Sequence, residues 1–256
     1  MAYAELKNGR VFFQTAAAPS AAQGSLVFVH GAGGTHQKWA GQLEEGMEGW
    51  LVAALDLPGH GASSGSALES AAAYADTLVD FIKQSAMPRP LILVGHSMGA
   101  IIVLQTALNY PDRVDGLVLI GAGARMPVNP QMLEQLAKGT FDTGFLKIAY
   151  GPEAPAELVQ AELERMAQAS QQQLFIDFNA CNNFDVSGRL GEIGVPVLIL
   201  VGDKDKMTPL KASQYLDENI KHSALHMING SGHHPMLEKK AETNQAIRQF
   251  LQAQFK

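Results

Sequence analysis

The sequence predicts an α/β protein: a mostly parallel eight-stranded sheet flanked by helices, with an inserted helical cap. Three observations carry this. Short branched apolar runs alternate with helical or loop segments along much of the 256 residues, the pattern of a parallel sheet covered on both faces. Two early runs are joined by "KNGR", an Asn-Gly hairpin signal. Between about Ala124 and Phe184 the alternation stops, and helical segments follow one another directly.

Taken in order, residues 3–6 and 11–14 form an antiparallel ribbon at the start of the sheet. Strands buried on both faces follow at 26–29, 51–55, 91–94, 114–120, 197–201 and 224–228. Helices are predicted at 69–84, 100–109, 210–219 and 240–254. In the interrupted region, "NPQMLEQLAKG", "TGFLKIAYG", "PAELVQAELERMAQAS" and "QQLFIDFNACNNF" read as helices, some opened by proline and others closed by glycine. The division is therefore a core of residues 1–123 and 185–256 with a cap at 124–184.

With 46% apolar and 17% charged residues, the chain is an ordinary globular protein with enough length for a full core. Its net charge of −6, with no lysine or arginine cluster, argues against nucleic-acid partners, anionic membranes and long polyanionic substrates. No signal peptide opens the sequence and no apolar stretch reaches membrane-spanning length, so a cytoplasmic protein without membrane insertion is expected. The single Cys181 excludes an internal disulfide and fits a reducing compartment.

The chemistry centres on "PLILVGHSMGAIIVL", residues 90–104. Left of Ser97 the pattern is a buried strand; right of it, apolar residues continue at helical spacing until Pro111 stops them. Ser97 thus stands at a sharp strand-to-helix turn. Such a turn strains the backbone at its apex, and Gly95 and Gly99 remove the side chains that would collide with it. The hydroxyl is pushed clear of the sheet beside the free N–H groups of a helix start, which is how a nucleophile is presented.

A serine hydroxyl near neutral pH needs a base, and the base needs an orienting carboxylate. Both belong in loops at the carboxyl edge of the sheet. "VLILVG" runs into "DKDKMTP" with Asp203 and Asp205, and "ALHMI" runs into "NGSGHHPMLE" with His233 and His234. The order is serine, acid, histidine, each just past a separate strand.

With these segments in order, the chain resembles the α/β-hydrolase fold superfamily, and a capped serine esterase or lipase within it, over nearly its whole length. "VHGAGGTHQKW" looks like that family's oxyanion loop, "DLPGHGAS" like its turn after the next strand and "GHSMG" like its nucleophile elbow. "VGDKDKMTP" and "GSGHHPMLEKKAETNQAIRQFL" look like its acid and histidine segments. The resemblance implies Ser97 as nucleophile, His233 as general base and Asp205 as carboxylate, with Asp203 ordering its turn. It implies an oxyanion hole from the backbone N–H groups of Ala32 and Met98, with Gly33 as a substitute for Ala32. His234 stands where the family often has an apolar residue.

The other motifs have structural readings. His96 points away from Ser97 as a packed core histidine, and His30 and His60 bond to loop backbone. Cys181 is a small buried hydrophobe on a cap helix. "LVLIGAGAR" imitates a dinucleotide loop, but Met126 occupies the place of its third glycine. No His/Asp/Glu set has metal-ligand spacing, and no cofactor is needed. Among the apolar cap residues Met126, Met132, Phe141, Phe145, Phe175 and Phe178, most pack helices together. Met126, Phe141, Phe145 and Phe178, with His234, are expected to line an apolar substrate pocket. The expected activity is hydrolysis of a small to medium carboxylic ester through an acyl-enzyme. The same triad in this superfamily also serves cofactor-free dioxygenation and carbon–carbon bond hydrolysis, and a slow-turnover small-ligand receptor is a reading of another class.

Overall fold

A computed structural model of the chain describes residues 2–7 and 9–255. Asn8, half of the Asn-Gly signal, lies outside the described residues. Eight strands form one sheet: β1 (Ala2–Leu6), β2 (Gly9–Thr15), β3 (Gly24–Val29), β4 (Trp50–Leu55), β5 (Leu91–His96), β6 (Gly116–Ile120), β7 (Val197–Gly202) and β8 (Ser223–Ile228), in the order β1-β2-β4-β3-β5-β6-β7-β8. β1 and β2 pair antiparallel, as do β2 and β4, and every other pairing is parallel.

The helices are α1 (Ala40–Glu45), α2 (Ala71–Gln84), α3 (Met98–Asn109), α4 (Pro130–Ala137), α5 (Ala156–Met166), α6 (Gln171–Asn182), α7 (Leu210–Asn219), α8 (Pro235–Glu238) and α9 (Lys240–Gln254). Alternate residues of each strand point to opposite faces, so the central strands feed two cores. Val27, Val29, Leu93 and Leu119 pack with Tyr74 and Leu78 of α2, Ile101 of α3 and Leu216 of α7. Leu26, Phe28, Val94 and Val118 pack on the other side with Trp39, Leu43 of α1 and Ile247 and Phe250 of α9. Burial on both faces explains why these strands are continuous apolar runs in the sequence.

Some ends differ from expectation for local reasons. α2 begins at Ala71, not residue 69, because the Ser70 side chain accepts the N–H of Ala73 at 3.2 Å and caps the helix there. β6 begins at Gly116 because Pro111–Arg113 forms a 3-10 turn after α3.

Between β6 and β7 stand α4, a 3-10 helix at Thr143–Ala149, α5 and α6. Met132, Leu136, Phe141, Leu146 and Leu174 make a separate small cluster. α6 also reaches the core, where Cys181 and the following Phe184 join the α3 side. α5 is lightly seated: Glu162 is its one fully buried residue. Among the described residues no helix is long and apolar enough to cross a membrane.

Candidate active site

Ser97 sits between β5 and α3 with φ 53° and ψ −117°, a conformation that costs a non-glycine residue roughly 1–3 kcal/mol. Neighbouring contacts enforce it. A Cβ on Gly95 would lie 2.3 Å from the carbonyl oxygen of Gly99, and one on Gly99 would lie 2.2 Å from that of Val29. The Ser97 N–H is held by Ile120 C=O at 2.9 Å, which ties the turn to β6. Met98 is the first residue of α3, where helix N–H groups lack partners within the helix.

β7 and β8 carry Asp205 and His233 to the same edge. His233 Nδ1–H donates to Asp205 Oδ2 at 2.8 Å, with both side chains buried. Thr208 reinforces the pair: its hydroxyl donates to Asp205 Oδ2 at 2.7 Å and lies 3.2 Å from His233 Nδ1. The other oxygen of Asp205 accepts the N–H groups of Met207 and Thr208 at 2.8 and 2.9 Å. Burial alone would raise the Asp205 pKa, but the charge and hydrogen bond of His233 and the Thr208 bonds outweigh it, and the carboxyl is held below its usual range. Asp203 instead accepts the N–H of Gly230 at 2.6 Å and pairs with Lys204, ordering the turn. His96 is buried beside Ser97 and donates Nε2–H to the carbonyl of His233 at 2.8 Å.

Across from the elbow, the loop after β3 is braced from several directions. His30 Nδ1–H donates to Gly31 C=O at 2.8 Å and Nε2 accepts the Leu57 N–H at 3.0 Å, so its ring is neutral, and burial with the charge of His60 pushes its pKa down to about 3. Gly34 N–H returns to Gly31 C=O at 3.0 Å. Gly33 N–H donates to Asp177 of α6 at 2.8 Å. Ala32 takes part in none of these bonds and lines the cavity at Ser97. The alternative donor, Gly33, is thus already engaged. Asp177 also accepts from His60 Nε2 at 2.8 Å and from the Tyr74 hydroxyl at 3.2 Å. His60 Nδ1 faces Pro58 C=O at 3.0 Å, so both ring nitrogens meet acceptors, an arrangement that favours the protonated ring. Burial opposes that charge, but the bond to Asp177 and its charge prevail, and the His60 pKa is raised. The sequence reading had given His60 backbone partners alone.

Ser97 and His233 line one cavity of about 50 Å³ together with Ala32, His96 and His234. Among the described residues no hydrogen bond joins the Ser97 hydroxyl to His233. Of the residues expected in a substrate pocket, Phe178 and His234 line this cavity. Met126, Phe141 and Phe145 are not among its lining residues. Met126 is buried in the core beside α3, and Phe141 is buried in the cluster among the inserted helices. Phe145 is 54% exposed because the 3-10 helix turns its neighbour Leu146 inward in its place. Sequence reasoning missed Lys38, Tyr150, Glu162, Leu163, Met166 and Met207 at the cavity. Lys38 and Glu162 form a buried ion pair between residues far apart in the chain, and no local pattern announces such a contact. His234 stacks on Tyr150 at 4.6 Å, and its buried Nδ1 has no partner. Among the described residues no group of His, Cys, Asp and Glu could hold a metal ion.

Comparison with known proteins agrees with this geometry. Residues 26–246 match the model of the Alpha/beta hydrolase family. A pimeloyl-[acyl-carrier protein] methyl ester esterase from Neisseria meningitidis serogroup A is 27% identical over 245 residues, covering 89% of this chain and 76% of that protein. The solved structure of a thermophilic esterase superposes with a TM-score of 0.87 at 28% identity, covering 98% of this chain and 97% of the other. An esterase from Exiguobacterium antarcticum shares the fold, with a TM-score of 0.86 at 22% identity over 98% of each chain.

Proposed function

The chain belongs to the alpha/beta hydrolase family, and from that premise we propose that it is a serine esterase acting on a small to medium carboxylic ester with an apolar portion. The carrying observation is the bond between His233 Nδ1 and Asp205 at 2.8 Å on the rim where Ser97 stands. With Nδ1 protonated and bonded to the carboxylate, Nε2 is the free base of the ring.

In this reading the Ser97 oxygen attacks the ester carbonyl carbon while its proton passes to His233 Nε2. The carbonyl oxygen becomes an oxyanion received by the N–H groups of Ala32 and Met98. Asp205 stabilises the imidazolium. The intermediate collapses, the carbon–oxygen bond to the alcohol breaks, and Nε2–H supplies the proton the alcohol needs. Water then attacks the acyl-enzyme, gives its proton to Nε2, and the acid leaves as Ser97 regains its hydrogen. A hydroxyl and imidazole not yet bonded in the free enzyme are compatible with this course, since catalytic hydrogen bonds often tighten only with substrate bound.

Leu146, Leu163, Met166, Phe178 and Met207 around the cavity support an apolar substrate portion. The helices of 124–184 act as the cap that selects it. Relatives named as esterases support ester chemistry over the other reactions of the same side chains. The lone buried Cys181 fits a reducing, cytoplasmic setting.

Labelling with a fluorophosphonate, followed by peptide mapping and rate measurements over esters of graded acyl length, tests the reading. The adduct is expected on Ser97, and Ser97→Ala is expected to abolish both labelling and turnover. An adduct elsewhere, or a fully active Ser97→Ala protein, defeats it.

A further inference from the structure

Amid the apolar lining of the Ser97 cavity lies one ion pair, Lys38 with Glu162. Lys38 belongs to the 3-10 turn His36–Trp39 after the loop of Ala32, and Glu162 belongs to α5. Their side chains are only 8% and 1% exposed. Desolvating both charges is expensive, and packed apolar residues of similar volume are often as stable or more so. Stability therefore does not account for an ion pair beside the reactive serine.

The two partners are unequally provided. Glu162 also accepts from Arg165, one turn further along the same helix. Among the described residues Lys38 Nζ bonds to Glu162 alone. Chain segments on either side of α5 are fastened. His233 N–H donates to Ala149 C=O at 2.6 Å, Gly151 N–H donates to Glu238 at 2.7 Å, and Asp177 holds α6 to Gly33 and His60. α5 itself buries only Glu162 fully.

The cavity at Ser97 is narrow, about 50 Å³, and α5, which buries only Glu162 fully, is the least anchored of the helices around it. Were α5 to move aside for a substrate, Glu162 would leave with Arg165 as its partner, and Lys38 would stay behind in an apolar wall without its anion. A neutral ester cannot replace that charge; a carboxylate can. We propose that Lys38 is the recognition group for a carboxylate carried by the substrate, so that the preferred esters are half-esters of dicarboxylic acids, a proposal that rests on the esterase reading above.

Two further features agree. A second cavity of about 280 Å³ adjoins the first, sharing Lys38 and Met166 as walls, so that Lys38 is reached from it as well as from the Ser97 side. His234, also on the inner cavity, has a buried Nδ1 without a partner among the described residues.

The test compares hydrolysis of the monomethyl esters of succinic, glutaric and adipic acids with neutral methyl esters of equal chain length, followed by acid release at constant pH. Wild type is expected to favour the best acidic ester over its neutral counterpart. Lys38→Met should lower that ratio about tenfold or more, the worth of a lost charge-assisted hydrogen bond. Lys38→Arg should keep the preference, and Glu162→Gln, which frees the ammonium of its competitor, should raise it. No preference in wild type, or an unaltered ratio in an active Lys38→Met protein, overturns the proposal. Should Lys38→Met fail to fold, an unaltered or lowered ratio in Glu162→Gln does the same. A wild type that hydrolyses no ester of either kind defeats the esterase reading and this proposal with it.

Discussion

The backbone N–H of Gly33 donates to the Asp177 carboxylate at 2.8 Å, tying a helix inserted between β6 and β7 to the loop that flanks Ser97. The same carboxylate carries the positive charge of His60 and a Tyr74 hydroxyl, all buried. One side chain thus fixes where the loop after β3 stands relative to the turn at Ser97.

Replacing it is therefore expected to harm turnover and stability together. Asp177→Asn leaves the His60 imidazolium without its counter-charge, a loss of about 3–5 kcal/mol for a broken buried pair. In the active fraction, kcat should fall more than KM rises, because the mechanism proposed above has the loop act in the transition state. Denaturant melts and steady-state kinetics check both; a variant as stable and active as wild type contradicts the assignment. A pH series adds a sign. The His60 pKa is raised in the folded protein, so its contribution is full below the ordinary histidine value and fades as pH rises through the raised one. Wild type should lose this increment on that alkaline side, and Asp177→Asn should not.

Asp205→Asn tests the acid. It leaves size and shape nearly intact but removes the charge facing His233 and permits the wrong tautomer. The expected loss in kcat is about 10³–10⁴-fold. The Asp205 carboxyl is held low, so its stabilising contribution is present above the usual aspartate range and is lost as pH falls through the lowered value. Acid unfolding of the variant should lack that component. The same substitution at Asp203, which serves the Gly230 turn, should leave kcat within severalfold of wild type.

Gly121→Ala addresses the space behind the base. Gly121 has φ 59°, and an added Cβ would lie 2.8 Å from both Cε1 and Nδ1 of His233. The backbone strain is about 1–2 kcal/mol. The displaced imidazole matters more: kcat/KM should fall about 10²-fold while far-ultraviolet circular dichroism stays that of wild type. Unchanged kinetics would falsify the claim that this glycine keeps room for the histidine.

Cys181 should be inert in the folded state. It is 3% exposed, and burial pushes its thiol well above the ordinary range. A thiol-exchange dye is expected to titrate it only in denaturant. Rapid labelling of the native protein, or inhibition by labelling, would show a different environment.

The sheet and most helices were legible because the central strands β3 to β7 bury both faces and so write their apolar runs into the sequence; α7 at Leu210–Asn219 and α9 at Lys240–Gln254 fall where periodicity put them. The elbow was legible for steric reasons, since only glycine fits at 95 and 99. Pocket residues were not. Whether Phe145 or Leu146 turns inward depends on the pitch of a 3-10 helix, and composition favours the wrong one. Lys38 and Glu162, or His60 and Asp177, meet through tertiary folding across more than 100 residues, and a single sequence holds no trace of such pairs. An unusual clue was present in "GHHP": the second histidine, out of pattern, lines the cavity with an unpartnered nitrogen.

The hydrogen bond from His233 N–H to Ala149 C=O means that one end of the inserted region is stitched to the segment bearing the base, while α5 carries no comparable anchor apart from Glu162. Under the function proposed above, selectivity and chemistry would then fall to separable parts of the chain. Residues 156–166 would be the stretch that an engineer, or a lineage under new demand, rewrites first to alter what the protein accepts.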